Sequence, residues 1–457
     1  MFNHYRVIHF VGIGGIGMSG IAQILKGLGY EVTGSDVKES AITSRLQDMG
    51  IEVNIGHRAS NVNGAHVVVV SSAIDTANPE IDAARRKNIP VIPRAEMLAE
   101  IGRLKYGVLI AGSHGKTTTT SIISTVLKEA GHDPTVVIGG KLISTDSNVS
   151  HGKGEFFVAE ADESDGSFLK LNPTIAVCTN IDKEHMEYFG NMDKLRNAFV
   201  QFLNKVPFYG QAVVCLEDEN VRSIVPYINR SYVTYGFSHE AHYNARNIDV
   251  GFLKTSYELY RKDEFLGDIF IPLSGRHNIL NSLAAVAVGR ALGVDLDTIK
   301  KSLNAFKGIK RRLEFKGEVN GIKVYDDYGH HPTEIMMTMK GIKDSVDNRL
   351  VVVFQPHRYT RTRDLFEEFA GAFNYADKLY LLDIYAAGEM PIDGINSEKI
   401  YTELRKKGVD VSYVKNIDDV LMDMKAQLKS GDLFVTFGAG DVWKIGENFL
   451  QSMYMTI

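Results

Sequence analysis

Short uninterrupted apolar runs, each closing on glycine, a small hydroxyl residue or an acid, recur along this chain with longer amphipathic stretches between them. The first is Arg6-Val-Ile-His-Phe-Val11, and residues 31–34, 51–54, 67–71 and 91–92 repeat it. Runs without polar interruption suit strands covered on both faces. Their alternation with helical stretches such as 18–28 predicts a parallel sheet with crossover helices. A second series begins at residue 106 and continues at 156–160, 174–179 and 212–216, before a more β-rich insertion at 231–272 and a helix over 277–292. A third follows Arg311-Arg312 and places strands at 323–326, 350–354, 379–383, 411–414 and 433–437. The pattern predicts three α/β domains, at 1–105, 106–314 and 315–457, with no repeat of solenoid period.

At 457 residues the chain is too long for a single core, and its 44% hydrophobic and 23% charged content is that of a globular protein. A formal net charge of −5 argues against nucleic acid as a partner, because counterion release needs concentrated Lys and Arg. The short Arg85-Arg86-Lys87 run reads as a solvated helix face. No apolar run approaches the ~18 residues of a membrane span, and the first strand begins with no signal-peptide core before it. The expectation is a cytoplasmic protein with no membrane insertion. Cys178 and Cys215 each lie inside an apolar run and are expected as core thiols of a reducing compartment. Nothing in the pattern selects monomer over dimer.

The densest chemistry sits where apolar runs end, the edge at which parallel sheets gather their ligands. Val108-Leu-Ile-Ala runs into Gly112-Ser113-His114-Gly115-Lys116-Thr117-Thr118. Backbone N–H groups of such a turn and of the helix behind it converge on phosphate oxygens, the Lys116 ammonium neutralises β/γ charge, and the Thr117 hydroxyl can ligate Mg²⁺. The spacing departs from the usual loop, whose first glycine would fall at Ile110. Upstream, Gly12, Gly14 and Gly17 form G-x-G-x-x-G between a strand and a helix, and Asp36 ends the next strand, where a dinucleotide site holds a ribose. NAD is the first reading of those residues. The weaker reading is a diphosphate of any nucleoside on the helix N-terminus.

Glu160-Ala-Asp162-Glu163-Ser-Asp165 closes another strand. Alone it would be a solvated acidic loop; beside a triphosphate loop it calls for a cation, and Mg²⁺ on Glu160 is the economical answer. His185 follows a further strand end and suits a second cation. In the third series, Asp326-Asp327-Tyr328-Gly-His330-His331 and Gln355-Pro-His357-Arg358-Tyr-Thr-Arg361 gather imidazoles and guanidiniums, the donors an anionic substrate needs. Arg363-Asp364 reads as a surface pair.

Taken in order, these stretches resemble the Mur ligases over nearly the whole chain. The motifs that carry the resemblance are the glycine loop from His9 to Ser19, Gly112 to Thr118, Glu160 to Asp165, Asn180 with His185, Pro-Phe-Tyr-Gly at 207–210, Gly275-Arg-His-Asn278, Arg311-Arg312, Asp326 to Pro332 and Gln355 to Arg361. The branch most similar is the one that adds L-alanine to UDP-N-acetylmuramate. The resemblance implies three α/β domains: an N-terminal Rossmann-like domain for the UDP-sugar, a central P-loop ATPase with a mostly parallel sheet, and a C-terminal Rossmann-like domain that closes on them. It implies that Gly12, Gly14, Gly15, Gly17, Met18, Ser19 and Asp36 serve the UDP-sugar rather than NAD. Gly112, Ser113, His114, Gly115, Lys116, Thr117 and Thr118 would serve ATP, completed by Asn278, Arg312 and Asp327. Mg²⁺ would sit on Thr117 and Glu160, with His185 on a second ion. Tyr328, His330, His357 and Arg361 would face the muramoyl carboxylate and the alanine.

Several Mur ligases carry a carbamylated lysine about fifteen residues after the metal histidine, where this chain has Val200; Lys194 is off register. The alanine-adding branch lacks that lysine, so the gap agrees with the branch. The implied chemistry is activation of the lactyl carboxylate as an acyl phosphate, helped by Lys116, Arg312 and Mg²⁺, then attack by the alanine amine with His330 to orient or deprotonate it. The rivals are a murein-recycling ligase that adds a tripeptide to the same sugar, an NAD-dependent oxidoreductase built on Gly12 to Gly17 and Asp36, and an ATP-driven switch needing only Lys116 and Glu160.

Overall fold

A computed structural model describes residues 6–71, 73–139, 149–415 and 417–454. Three sheets carry the described residues. The first orders its five parallel strands as Glu52–Ile55, Glu31–Asp36, Val7–Val11, Val67–Val70 and Val91–Pro93. The order reverses at Val7–Val11, which pairs with a neighbour on each side, so a crevice opens at its carboxyl end where Gly12 stands.

The central sheet has ten strands, and Tyr106–Ala111 lies between Ile175–Cys178 and Phe156–Glu160, parallel to both. The β-rich insertion resolves into Tyr243–Gly251, Lys254–Arg261 and Glu264–Ile271, an antiparallel extension of one sheet edge. Helices Lys116–Glu129 and Arg276–Ala291 cover one face, with Ile122, Val126, Leu283 and Val286 packed on Val108 and Ile110. The buried residues of Arg276–Ala291 run without a break from Asn281 to Gly289, as a helix enclosed on all sides requires.

The third sheet is Glu314–Val319, Ile322–Asp327, Leu433–Phe437, Leu350–Phe354, Lys378–Leu381 and Val411–Tyr413, with only the first pair antiparallel. Two apolar cores line its faces. One hydrophobic cluster runs from Ile24, Leu25, Leu98 and Ile101 of the first unit into Phe157, Phe168, Phe199 and Phe202 of the second, joining the two. Each such phenylalanine contributes about 1.5–3 kcal/mol on burial. Cys178 and Cys215 are buried free thiols, and among the described residues no helix is long and apolar enough to cross a membrane.

The strands expected from apolar runs are all present, with ends shifted by a residue or two. Thr135–Val137 and Val149–Ser150, too short to leave a periodic trace, were not foreseen.

Candidate active site

Register Ile110↔Glu160 and Ala111↔Cys178 brings three loops to one carboxyl edge of the central sheet. Gly112 turns off that edge with φ of 137°, and a Cβ there would lie 2.0 Å from Thr179 Oγ1, so only glycine fits. The neighbouring loop clamps the turn. Asn180 Oδ1 accepts from the His114 N–H at 2.8 Å, while Asn180 Nδ2 and Thr179 Oγ1 donate to the His114 carbonyl at 3.0 and 2.7 Å. Gly115 then starts helix Lys116–Glu129 with no side-chain cap. Asn78, Asn191, Asp218, Asp295 and Asn396 do cap their helices. The first-turn N–H groups after Gly115 are therefore left for an anion.

Lys116 folds back over this loop. Its Nζ donates to the carbonyls of Gly112 and Ser113 and to both oxygens of Glu163, at 2.9 and 3.0 Å. Burial would lower its pKa, but the charges of Glu163 and Asp162 overcome that and hold it above the ordinary lysine value. Glu160, with the Thr117 hydroxyl beside it, accepts from the Gly139 N–H at 2.6 Å. Burial raises the Glu160 carboxyl, with the Gly139 amide and Lys116 opposing. Glu163, Glu184 and His185 offer ligand atoms all within 4.8 Å of one another, a spacing that suits a divalent cation. Val200 packs against the apolar core, which accounts for an aliphatic side chain at that place.

The C-terminal unit meets the phosphate loop directly. His114 lies between Asp182, 3.0 Å from Nε2, and Glu334, 3.7 Å from Nδ1. Burial would depress this imidazole, but the two carboxylates raise it to about 10, so it is a cation at neutral pH. Thr333 Oγ1 donates to Asp182 at 3.2 Å, His331 Nε2 stands 3.6 Å from Glu184, and the His114 and His331 rings lie 4.8 Å apart. The start of helix Pro332–Lys343 is thus docked on the loop.

A cavity of about 310 Å³ runs from the loop between the two units, lined by Asn278, Asn281, Arg312, Asp327 and Glu334 among others. The buried His277 Nδ1 has no protein partner. Asp327 accepts from the N–H groups of Leu313 and Gly329 at 2.8 and 2.7 Å, and burial lifts it to about 6 against the pull of Arg312. Asn278 is braced by the Ser274 carbonyl and by Asn281.

Beyond Glu334 stands a ring cluster. Tyr328 and His330 are 5.3 Å apart, His330 and His357 5.8 Å, and His357 stacks on Tyr385 at 5.6 Å. His330 Nδ1 lies 3.1 Å from the Tyr328 carbonyl, which can only accept, so the ring donates from Nδ1 and Nε2 keeps its lone pair. Burial, with Arg361 and Arg312 adding to it, holds His330 down at about 3, and burial with Arg361 and Arg358 holds His357 at about 4. Arg361 Nη1 donates to the His357 carbonyl at 3.2 Å. Arg363 pairs with Asp364 at 2.7 Å and stays out of the cluster.

The N-terminal glycine loop is separate. Gly12, at φ of 82°, and Ile13 donate to the Ser35 carbonyl at 2.8 and 2.9 Å, and Gly15 opens helix Ile16–Gly27 uncapped. Asp36 accepts the Gly14 N–H at 2.8 Å, which removes that amide from a ligand. Met18 and Ser19 are buried; the Ser19 hydroxyl donates to Ile16 and its amide to Gly15, so neither donor is left for an anion. Arg94 reaches the helix start, 3.1 Å from where a Gly17 Cβ would stand.

The structure brings the phosphate loop, the acidic loop, His185, Asn278, Arg312, Asp327 and the ring cluster into one continuous region. Sequence reasoning passed over the pairing of Glu163 with Lys116 and the roles of Asp182, Glu184, Asn281 and Glu334. Position after a strand end could have flagged Asp182 and Glu184, and the step of four residues from His330 could have flagged Glu334.

Comparison with known proteins agrees along the whole length. Residues 7–106 match the Mur ligase family catalytic domain, 110–289 the Mur ligase middle domain, and 311–440 the Mur ligase glutamate ligase domain. The chain is 53% identical to the UDP-N-acetylmuramate–L-alanine ligase of Desulfatibacillum aliphaticivorans, over 99% of this chain and 100% of that one. It is 52% identical to the protein of the same name from Syntrophobacter fumaroxidans, over 99% and 97%. Among solved structures, the UDP-N-acetylmuramate-alanine ligase MurC of Thermotoga maritima superposes with a TM-score of 0.82 at 29% identity, covering 98% of this chain and 99% of that one.

Proposed function

Because the chain belongs to the Mur ligase family, we propose that it joins L-alanine to the lactyl carboxylate of UDP-N-acetylmuramate, using ATP, in peptidoglycan precursor synthesis. The observation that carries this reading is full-length identity of 50% or more to relatives named for that reaction. Those names also decide against the tripeptide-adding alternative. An NAD-linked oxidoreductase would leave Lys116, Glu163 and the docked Glu334 without a purpose.

The residues suit the chemistry. Oxide is too poor a leaving group for an amine to displace from a carboxylate, so a carboxylate oxygen first attacks the γ-phosphorus of ATP and ADP departs. The uncapped amides after Gly115 and the Lys116 ammonium take the phosphate charge, and Lys116 exchanges Glu163 for phosphate oxygens as it does so. The cavity beside Asn278 takes the nucleoside, and its unpartnered His277 nitrogen and guanidinium of Arg312 offer donors there. Thr117 with Glu160 would hold one Mg²⁺, and Glu163, Glu184 and His185 a second; the ions would supply charge neutralisation of the transferring phosphoryl group. The alanine amine then attacks the acyl carbon, inorganic phosphate leaves, and a proton must go. His330, neutral and with Nε2 free, accepts it, its basicity rising once the acyl phosphate's negative charge is beside it. Arg361 orients the alanine carboxylate. The nucleotide substrates place the reaction in the cytoplasm.

The test is phosphate release from ATP and Mg²⁺ with UDP-N-acetylmuramate, with and without L-alanine, and mass analysis of the sugar. The expected result is release that needs both substrates and a product heavier by one alanine residue. Release indifferent to the sugar would reduce the assignment to an ATPase.

A further inference from the structure

Opposite the phosphate loop, where strands Tyr106–Ala111, Phe156–Glu160 and Ile175–Cys178 begin, lies a cleft of about 990 Å³, larger than the cavity beside Gly115. Its walls carry the cations Arg103, Lys105, Lys153 and Lys205, with the His151 imidazole among them, against one carboxylate, Glu155. That concentration of cations is at odds with a chain of net charge −5.

The crowding leaves marks. Lys205 is pushed below its ordinary value by burial and by Arg103, with no carboxylate to offset them. His151 is lowered by burial, Lys105 and Lys153, against a weaker pull from Asp133. Lys105 is fixed in the wall, donating to the carbonyls of Gly152 and Gly154 at 2.8 and 2.6 Å, with Asp133 its acidic neighbour. Arg103 is paired with Glu100 at 2.6 Å. The cation left with no carboxylate beside it is Lys205; Lys153 adds a second, its backbone N–H held by Asp133 at 2.8 Å, and the cleft they line is roomy enough for a ligand well beyond one phosphate.

We propose that this cleft is a second anion site, built for a small molecule carrying several phosphate groups. Gly27 and Leu28, at the end of the first helix of the N-terminal unit, share its wall with the central unit. A polyphosphate held there touches both, at the face remote from the reaction. Nothing in this assignment depends on which substrates the active site takes.

The experiment uses tripolyphosphate and titration calorimetry on full-length Lys116→Ala protein, in which the phosphate loop is disabled. Binding persists in that protein, and adding Lys153→Glu with Lys205→Glu weakens it by at least about tenfold. The neutral pair Lys153→Gln and Lys205→Gln weakens binding less, in the same direction, and serves as the test if the reversals fail to fold. No binding to Lys116→Ala protein, or equal affinity with and without the lysine changes, would overturn the site.

Discussion

The loops at 12–17 and 112–116 both leave a strand flanked by parallel neighbours, both turn through a left-handed glycine, and both open a helix with no side-chain cap. From there they diverge. The first is braced by Ser35 and has one amide taken by Asp36, with Arg94 as the cation at the helix start. The second holds Lys116 within itself, faces Glu160, Glu163 and Glu184, and receives Glu334 from another domain. Glycines and open amides make a cradle for phosphate. Reactivity comes from what is arranged around the cradle, which is why, under the proposed function, the shared pattern would serve binding at one loop and chemistry at the other.

The strongest way to break this contrast is Lys116→Ala. Ligation falls by about 10²–10³-fold or more, while the dissociation constant for UDP-N-acetylmuramate, read by calorimetry, stays within about twofold. An equal loss of sugar binding would erase the distinction. Gly14→Ala is the complementary change. Its Cβ would lie 2.8 Å from Asp36 Oδ2 and displace the carboxylate that holds the Gly14 N–H, so sugar affinity falls about tenfold with nucleotide affinity unchanged.

The smallest effect concerns stability. Ser35, which braces the first loop, donates to buried Glu80, whose carboxyl His9, Ser35 and Asn61 hold at about 2 despite burial. Its contribution is complete above 4.5 and is lost as pH falls through 2. His114, beside the second loop, has a folded pKa of about 10 against 6.5. Its contribution is complete below 6.5 and is lost as pH rises through 10. Urea unfolding across pH should show Glu80→Gln flattening the acid limb and His114→Gln the alkaline limb. The same limb flattened by both would contradict the separation.

The sheets were legible because their strands are covered on both faces and so appear as unbroken apolar runs such as Val108 to Ala111. The glycine loop at 112–116 was legible as a turn because Gly112, Gly115 and Lys116 fall within one short stretch after an apolar run. Thr135–Val137 and Val149–Ser150 were not, since three and two residues carry no period. Nor was the tie of Lys116 to Glu163, because any acid of that loop would read alike. The bridge from His114 to Glu334 spans two domains and depends on how helix Pro332–Lys343 docks, which no local pattern specifies. Burial of Ser19 had the same origin, in a helix face that turns inward.

The central claim is that a carboxylate delivered by the N-terminal domain attacks a phosphate held at Lys116. UDP-N-acetylmuramate labelled with oxygen-18 in the lactyl carboxylate tests it directly, by mass analysis of the phosphate released during ligation to L-alanine. The account predicts one labelled oxygen carried into each phosphate, because the bond broken in the second step lies between the acyl carbon and that oxygen. Phosphate free of label would contradict it.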